Sequence, residues 1–86
     1  MKSLNEWNVI EDIEQFYKMI GQNVKQYRQD MNYSQLDFSQ EIGIKSVSFY
    51  CDCENGKNGK HFNLLHLVKI AKILNITIDE LLQTKK

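Results

Sequence analysis

Apolar residues at Val9, Ile13, Phe16, Ile20, Val24, Tyr27 and Met31 recur at alternating three- and four-residue steps. That spacing is one stripe of an amphipathic helix. Trp7, Ile10 and Tyr17 lie on a neighbouring face, and Ser3 with Glu6 offers a capping box at the start of the segment. Gly21 interrupts the pattern. It divides the segment into two helices, bends a single one, or is tolerated inside it at about 1 kcal/mol relative to alanine. Asn32 ends the segment, because asparagine accepts the left-handed conformation of a C-terminal cap.

Shorter apolar groups follow, each framed by start and stop residues. Ser34 with Asp37 starts a second helix carrying Leu36, Phe38 and Ile42, and Gly43 stops it. Ser46 caps a third that runs to about Glu54 and ends at Asn55-Gly56. Asn58 and Gly59 mark a loop. Asn63 caps a fourth helix with an expected inner face of Leu64, Leu67, Val68, Ala71 and Leu74, ended by Asn75. Thr77 with Glu80 makes a final capping box before Leu81 and Leu82. The expectation is an all-α, compact five-helix bundle with an additional N-terminal helical segment and no strands. It divides into an extension over 1–15, a domain over 16–82 and a tail over 83–86.

Composition narrows the class. At 86 residues the chain is one small domain, near the size where a single core only just outweighs chain entropy. The formal charge is zero, so the basic balance that would advertise nucleic-acid binding is missing. The average hides an asymmetry: Glu6, Glu11, Asp12 and Glu14 gather acid near the start, whereas Lys45, Lys57, Lys60, Lys69 and Lys72 lie in the second half. A basic face can exist on a neutral protein. No signal peptide and no membrane-spanning run is read, so a cytoplasmic protein with no membrane partner is expected. Cys51 and Cys53 stand two apart, a helical spacing that points them to different sides, and are read as free thiols rather than metal ligands. His61 and His66 are read as a loop and a helix-face residue. No catalytic arrangement, phosphate loop, metal site or cofactor site is evident, and no enzyme is expected.

The order Ile20 to Arg28 (I-G-Q-N-V-K-Q-Y-R), Tyr33 to Gln35 (Y-S-Q), Ile42 to Ile44 (I-G-I), Glu54 to Gly56 (E-N-G) and Leu67 to Ile76 (L-V-K-I-A-K-I-L-N-I), followed by D-E-L-L, resembles the phage-repressor, or xenobiotic-response-element, type of helix-turn-helix domain. The resemblance spans roughly residues 16 to 82. One departure matters. In that family the glycine of the turn and the glycine after the recognition helix are one residue closer than Gly43 and Gly56 are here. Counting forward from Gly43 would bury Phe49 and an unpaired Asp52, which is costly. Counting back from Gly56 buries Tyr50 and Cys53 and leaves Asp52 outside, so the extra residue belongs near Ile44 to Ser46. Ser39 falls where the family has a small residue at the helix crossing.

In that register Ser46, Val47, Ser48, Phe49 and Asp52 project from the recognition helix. The resemblance implies that Val47, Ser48, Phe49 and Asp52 meet base edges: valine a thymine methyl, serine a donor or acceptor, aspartate a cytosine amino group. Phe49 packs against sugar and thymine methyls, or turns inward against the N-terminal segment. Gln35, Lys45, Ser46, Lys57 and Lys60 are the candidate phosphate contacts. Arg28 sits where the family ties the first helix to the Glu54 region, and an Arg28–Glu54 ion pair is expected. The implied activity is a sequence-specific DNA-binding transcriptional regulator, acting as a homodimer on an inverted repeat of double-stranded DNA. Dimer candidates are Ile76, Ile78, Leu81 and Leu82 on the last helices, and Trp7, Ile10 and Tyr17 on the first. The rival is an antitoxin or other partner-binding protein with DNA binding secondary, supported by the neutral charge and by the absence of arginine, asparagine and glutamine from the reading face.

Overall fold

With no proline anywhere in the chain, nothing interrupts the first amphipathic segment. In the computed structural model, which describes residues 9–83 and side chains from residue 12 onward, it forms one uninterrupted helix, α1 (Val9–Asp30). α2 (Gln35–Glu41), α3 (Val47–Asn55), α4 (Leu64–Leu74) and α5 (Ile78–Leu82) follow. The described residues are all-helical, with five helices and no strand. The Ser3–Glu6 capping box, Trp7 and the side chain of Ile10 lie outside what is described.

The boundaries follow local chemistry. Asn32, Gly43, Gly56 and Asn75 all have left-handed backbone, with φ of 61°, 79°, 65° and 57°. At each stop the next residue's N–H reaches back across the final turn: Tyr33 to Arg28 O, Ile44 to Ser39 O, Lys57 to Asp52 O and Ile76 to Ala71 O. These bonds satisfy carbonyls that a helix end otherwise leaves unpaired. At the starts, Ser34, Ser46, Asn63 and Thr77 accept from the N–H three residues on. α4 has the full reciprocal box, because His66 Nδ1 accepts from Asn63 N at 3.1 Å. The sequence had offered no acidic partner there.

Gly21 is neither a break nor a tolerated defect. A Cβ at this position would stand 2.5 Å from the Glu54 carbonyl oxygen and 2.6 Å from that of Cys53, so the glycine lets α1 pack directly on the end of α3. The core it helps close contains Ile20, Val24, Phe38, Ile42, Tyr50, Cys53, Phe62, Leu67, Ile70, Leu74 and Leu81. Phe38, Tyr50 and Phe62 run through it as neighbouring rings, with centroids 6.0 and 5.5 Å apart. Buried Asn23 on α1 donates to Leu81 O at 2.8 Å and Gln83 O at 2.7 Å, tying down a five-residue helix too short to hold itself.

Two expected faces are corrected. On α1 the stripe is buried at Ile20 and Val24, but Ile13 and Phe16 are each 44 % exposed. On α4 the inner face is Leu67, Ile70, Ala71 and Leu74, while Leu64 and Val68 are 69 % and 45 % exposed. Apolar residues surround more than one face of α4, so periodicity alone cannot choose its orientation. Packing against its neighbours does. Leu81, a dimer candidate, is fully buried and closes the core instead. Ile76, Ile78 and Leu82 are half-buried against that core.

Candidate nucleic-acid interface

α2 and α3 are joined by the short turn Ile42 to Ser46. Ser39 is buried at the crossing and donates to Leu36 O at 2.8 Å. Tyr50 and Cys53 of α3 face inward, as the chosen register requires. Burial pushes the Cys53 thiol up to about 11, with nearby Asp52 adding to the effect, so it stays protonated and inert. Among the described residues no three His, Cys, Asp or Glu side chains converge as a metal site.

The placement of α3 is fixed by one carboxylate. Glu54 is fully buried, and four groups donate to it: Arg28 Nε at 2.6 Å, Arg28 Nη2 at 3.2 Å, Gln35 Nε2 at 3.1 Å and the Tyr50 hydroxyl at 2.5 Å. Arg28 also donates to Tyr33 O at 2.7 Å, so α1, the α1–α2 turn, α2 and α3 meet at one point. Burial pushes the Tyr50 phenol well above its ordinary range, and the adjacent Glu54 carboxylate pushes it further. For Arg28, burial works against the charge, but the Glu54 contacts more than offset it and the guanidinium pKa rises. The Arg28–Glu54 pair expected from sequence is present.

Gln35, expected to hold a phosphate, donates one of its two amide N–H groups to Glu54. Around that anchor, Lys45, Ser46, Val47 and Ser48 are exposed at the turn and the first turn of α3. The Ser46 side chain is the α3 cap, accepting from Phe49 N at 3.1 Å. Asp52 is half-buried, one turn beyond Ser48 on the same face. Lys57 and Lys60 are exposed in the loop that follows. Phe49 departs from the expected outward position. It is half-buried against the core, edge-on to His66 with centroids 6.0 Å apart, so it turns towards α4. Tyr17 stacks on His61 at 3.7 Å and 5°, joining α1 to the same loop beside a cleft of about 460 Å³ lined in part by Ile13, Lys18 and Lys60.

Sequence reasoning missed the roles of Asn23, Gly21 and His66. Only a helix start three residues before His66 hinted at the last. Burial lowers the His66 pKa, and Lys69 and His61 lower it further. A His whose folded pKa lies below its unfolded value contributes stability that is fully present above the unfolded value of about 6.5 and is lost as pH falls through the folded one. The denaturation midpoint should therefore drop between pH 7.5 and pH 5, and the drop should shrink in His66→Gln, whose side-chain oxygen still accepts from Asn63 N. An equal drop in both proteins would refute this.

The sequence model of the helix-turn-helix family matches residues 24–81, from the packed half of α1 into α5 and including the whole α2–turn–α3 unit. No curated protein and no solved structure matches the chain.

Proposed function

The chain belongs to the helix-turn-helix family of the phage-repressor type, a family of DNA-binding regulators, and from that premise we propose that it is a sequence-specific transcriptional regulator of the cytoplasm. It acts as a homodimer on an inverted repeat, with α3 in the major groove and half-sites about one helical turn apart. The observation that carries this reading is the two-sidedness of α3. Its inner side is sealed by Tyr50, Cys53 and Glu54, while Ser48 and Asp52 share the side away from the core and Val47 is exposed at the first turn.

Val47 would meet a thymine methyl and Ser48 a base-edge donor or acceptor. Lys45, Lys57 and Lys60, on the turn before α3 and the loop after it, would bracket the backbone, with the Ser46 hydroxyl as a further donor. Dimerisation would raise the weak affinity of so small a module. The half-buried Ile76, Ile78 and Leu82 on one side, and the segment with Trp7, Ile10 and Tyr17 on the other, remain its candidate surfaces.

A salt titration tests the reading. Affinity for mixed duplex DNA should fall steeply and linearly on log–log axes, and Lys57→Gln should reduce the slope by about one. Ser48→Ala should change base preference and leave the slope alone. Failure to bind any duplex at low salt would favour the rival, an antitoxin-like module. Its support is the apolar outer face of α4, where Leu64, Leu65 and Val68 are 69 %, 60 % and 45 % exposed.

A further inference from the structure

The carboxylate on the outward face of α3 does not stand free. Asn58 Nδ2 donates to Asp52 Oδ2 at 3.1 Å, across the stop that ends the helix. Asn58 has left-handed backbone, φ 57°, between Gly56 at φ 65° and Gly59 at φ 67°. Lys57 N bonded to Asp52 O and Lys60 N bonded to Lys57 O fix that loop, so its backbone aims the Asn58 amide at Asp52. Resting on the DNA-binding reading above, we infer that Asn58 is a specificity-determining positioning residue, holding Asp52 so that its second oxygen reads one cytosine amino group in each half-site.

The chemistry favours that base. An aspartate near phosphates is repelled unless a donor meets it, and the bond from Asn58 engages Oδ2 and leaves Oδ1 to accept. A neutral amide, unlike a lysine, orients the carboxylate without cancelling its charge. In the major groove, cytosine presents only its amino donor, whereas adenine pairs its amino group with the N7 acceptor, and guanine and thymine present acceptors. A fixed carboxylate therefore rejects guanine and thymine by repulsion and is disfavoured at adenine by the N7 acceptor beside its amino group, as well as selecting cytosine. A carboxylate free to swing could avoid the repulsion, and the discrimination would be lost.

Selection of bound sites from a random duplex pool, run with wild type, Asn58→Gly and Asp52→Asn, tests this. Glycine keeps the left-handed backbone and removes only the side chain. Wild type should enrich cytosine at one position per half-site by roughly 5-fold, the low end of a base contact's worth since only one oxygen reads the base. Both variants should flatten preference at that position alone, with the other positions and the salt slope unchanged. Unaltered preference in Asn58→Gly overturns the inference, as does a wild type that binds DNA but enriches no position sensitive to Asp52→Asn. A wild type that binds no duplex at low salt sinks the DNA-binding reading and this inference with it.

Discussion

Arg28→Ala is expected to cost about 3–5 kcal/mol of folding stability, measured as a fall in denaturation midpoint at constant slope. The magnitude comes from what is left behind. Glu54 is fully buried, and Arg28 is the cation among its hydrogen-bond partners. Gln35 and Tyr50 would still donate, but neither carries a positive charge. A domain of this size has total stability on the order of 5–15 kcal/mol, so the variant should be near its unfolding threshold at ordinary temperatures. In Arg28→Ala/Glu54→Gln no carboxylate is left unpaired. That double variant should be more stable than the sum of its single changes predicts, with a coupling of about 0.5–3 kcal/mol. Unchanged stability in Arg28→Ala would contradict the role given to this pair. In the proposed function the network would also set how α3 is presented to a groove, because the same carboxylate binds groups from α1, α2 and α3. Loss of DNA binding in the variant should therefore track loss of fold, and a partly folded sample should bind in proportion to its folded fraction.

Gly21→Ala has an expected effect whose sign separates propensity from packing. Within an isolated helix the substitution stabilises by about 1 kcal/mol. Here the new methyl would stand 2.5 Å from one backbone oxygen of α3 and 2.6 Å from another. Neither can move as a flexible side chain would, so α1 must lift off the C-terminal end of α3. Overpacking of this kind costs typically about 1–3 kcal/mol, and rigid backbone neighbours place this site at the upper end. Chemical denaturation of Gly21→Ala should therefore show net destabilisation. A stabilised variant would mean that the helices are not held so closely.

Much of this protein is legible locally. Asn32, Gly43, Gly56 and Asn75 stop helices because their backbones reach the left-handed region at low cost, and Ser34, Ser46, Asn63 and Thr77 start them because their oxygens reach an N–H three residues on. The register of α3 was likewise legible, since burying Tyr50 and Cys53 avoided burying an aspartate. The family likeness added the Arg28–Glu54 pair, joining residues too far apart in sequence for any local rule to connect.

What local pattern left open was decided where helices meet. α4 carries apolar residues around more than one face, and its neighbours chose Ile70 over Leu64 and Val68. Phe49 turned towards His66, Gln35 gave a donor to Glu54, and Leu81 entered the core. Gly21 became a contact instead of a break. The physical reason is range. Caps and stops are satisfied within one helical turn, so the sequence by itself determined where α1 to α4 end and where α2 to α5 begin. The orientation of a face, the Gln35 donor to Glu54 and the aim of Asn58 at Asp52 depend on backbone brought together only by the folded chain, and the tertiary structure alone decided them.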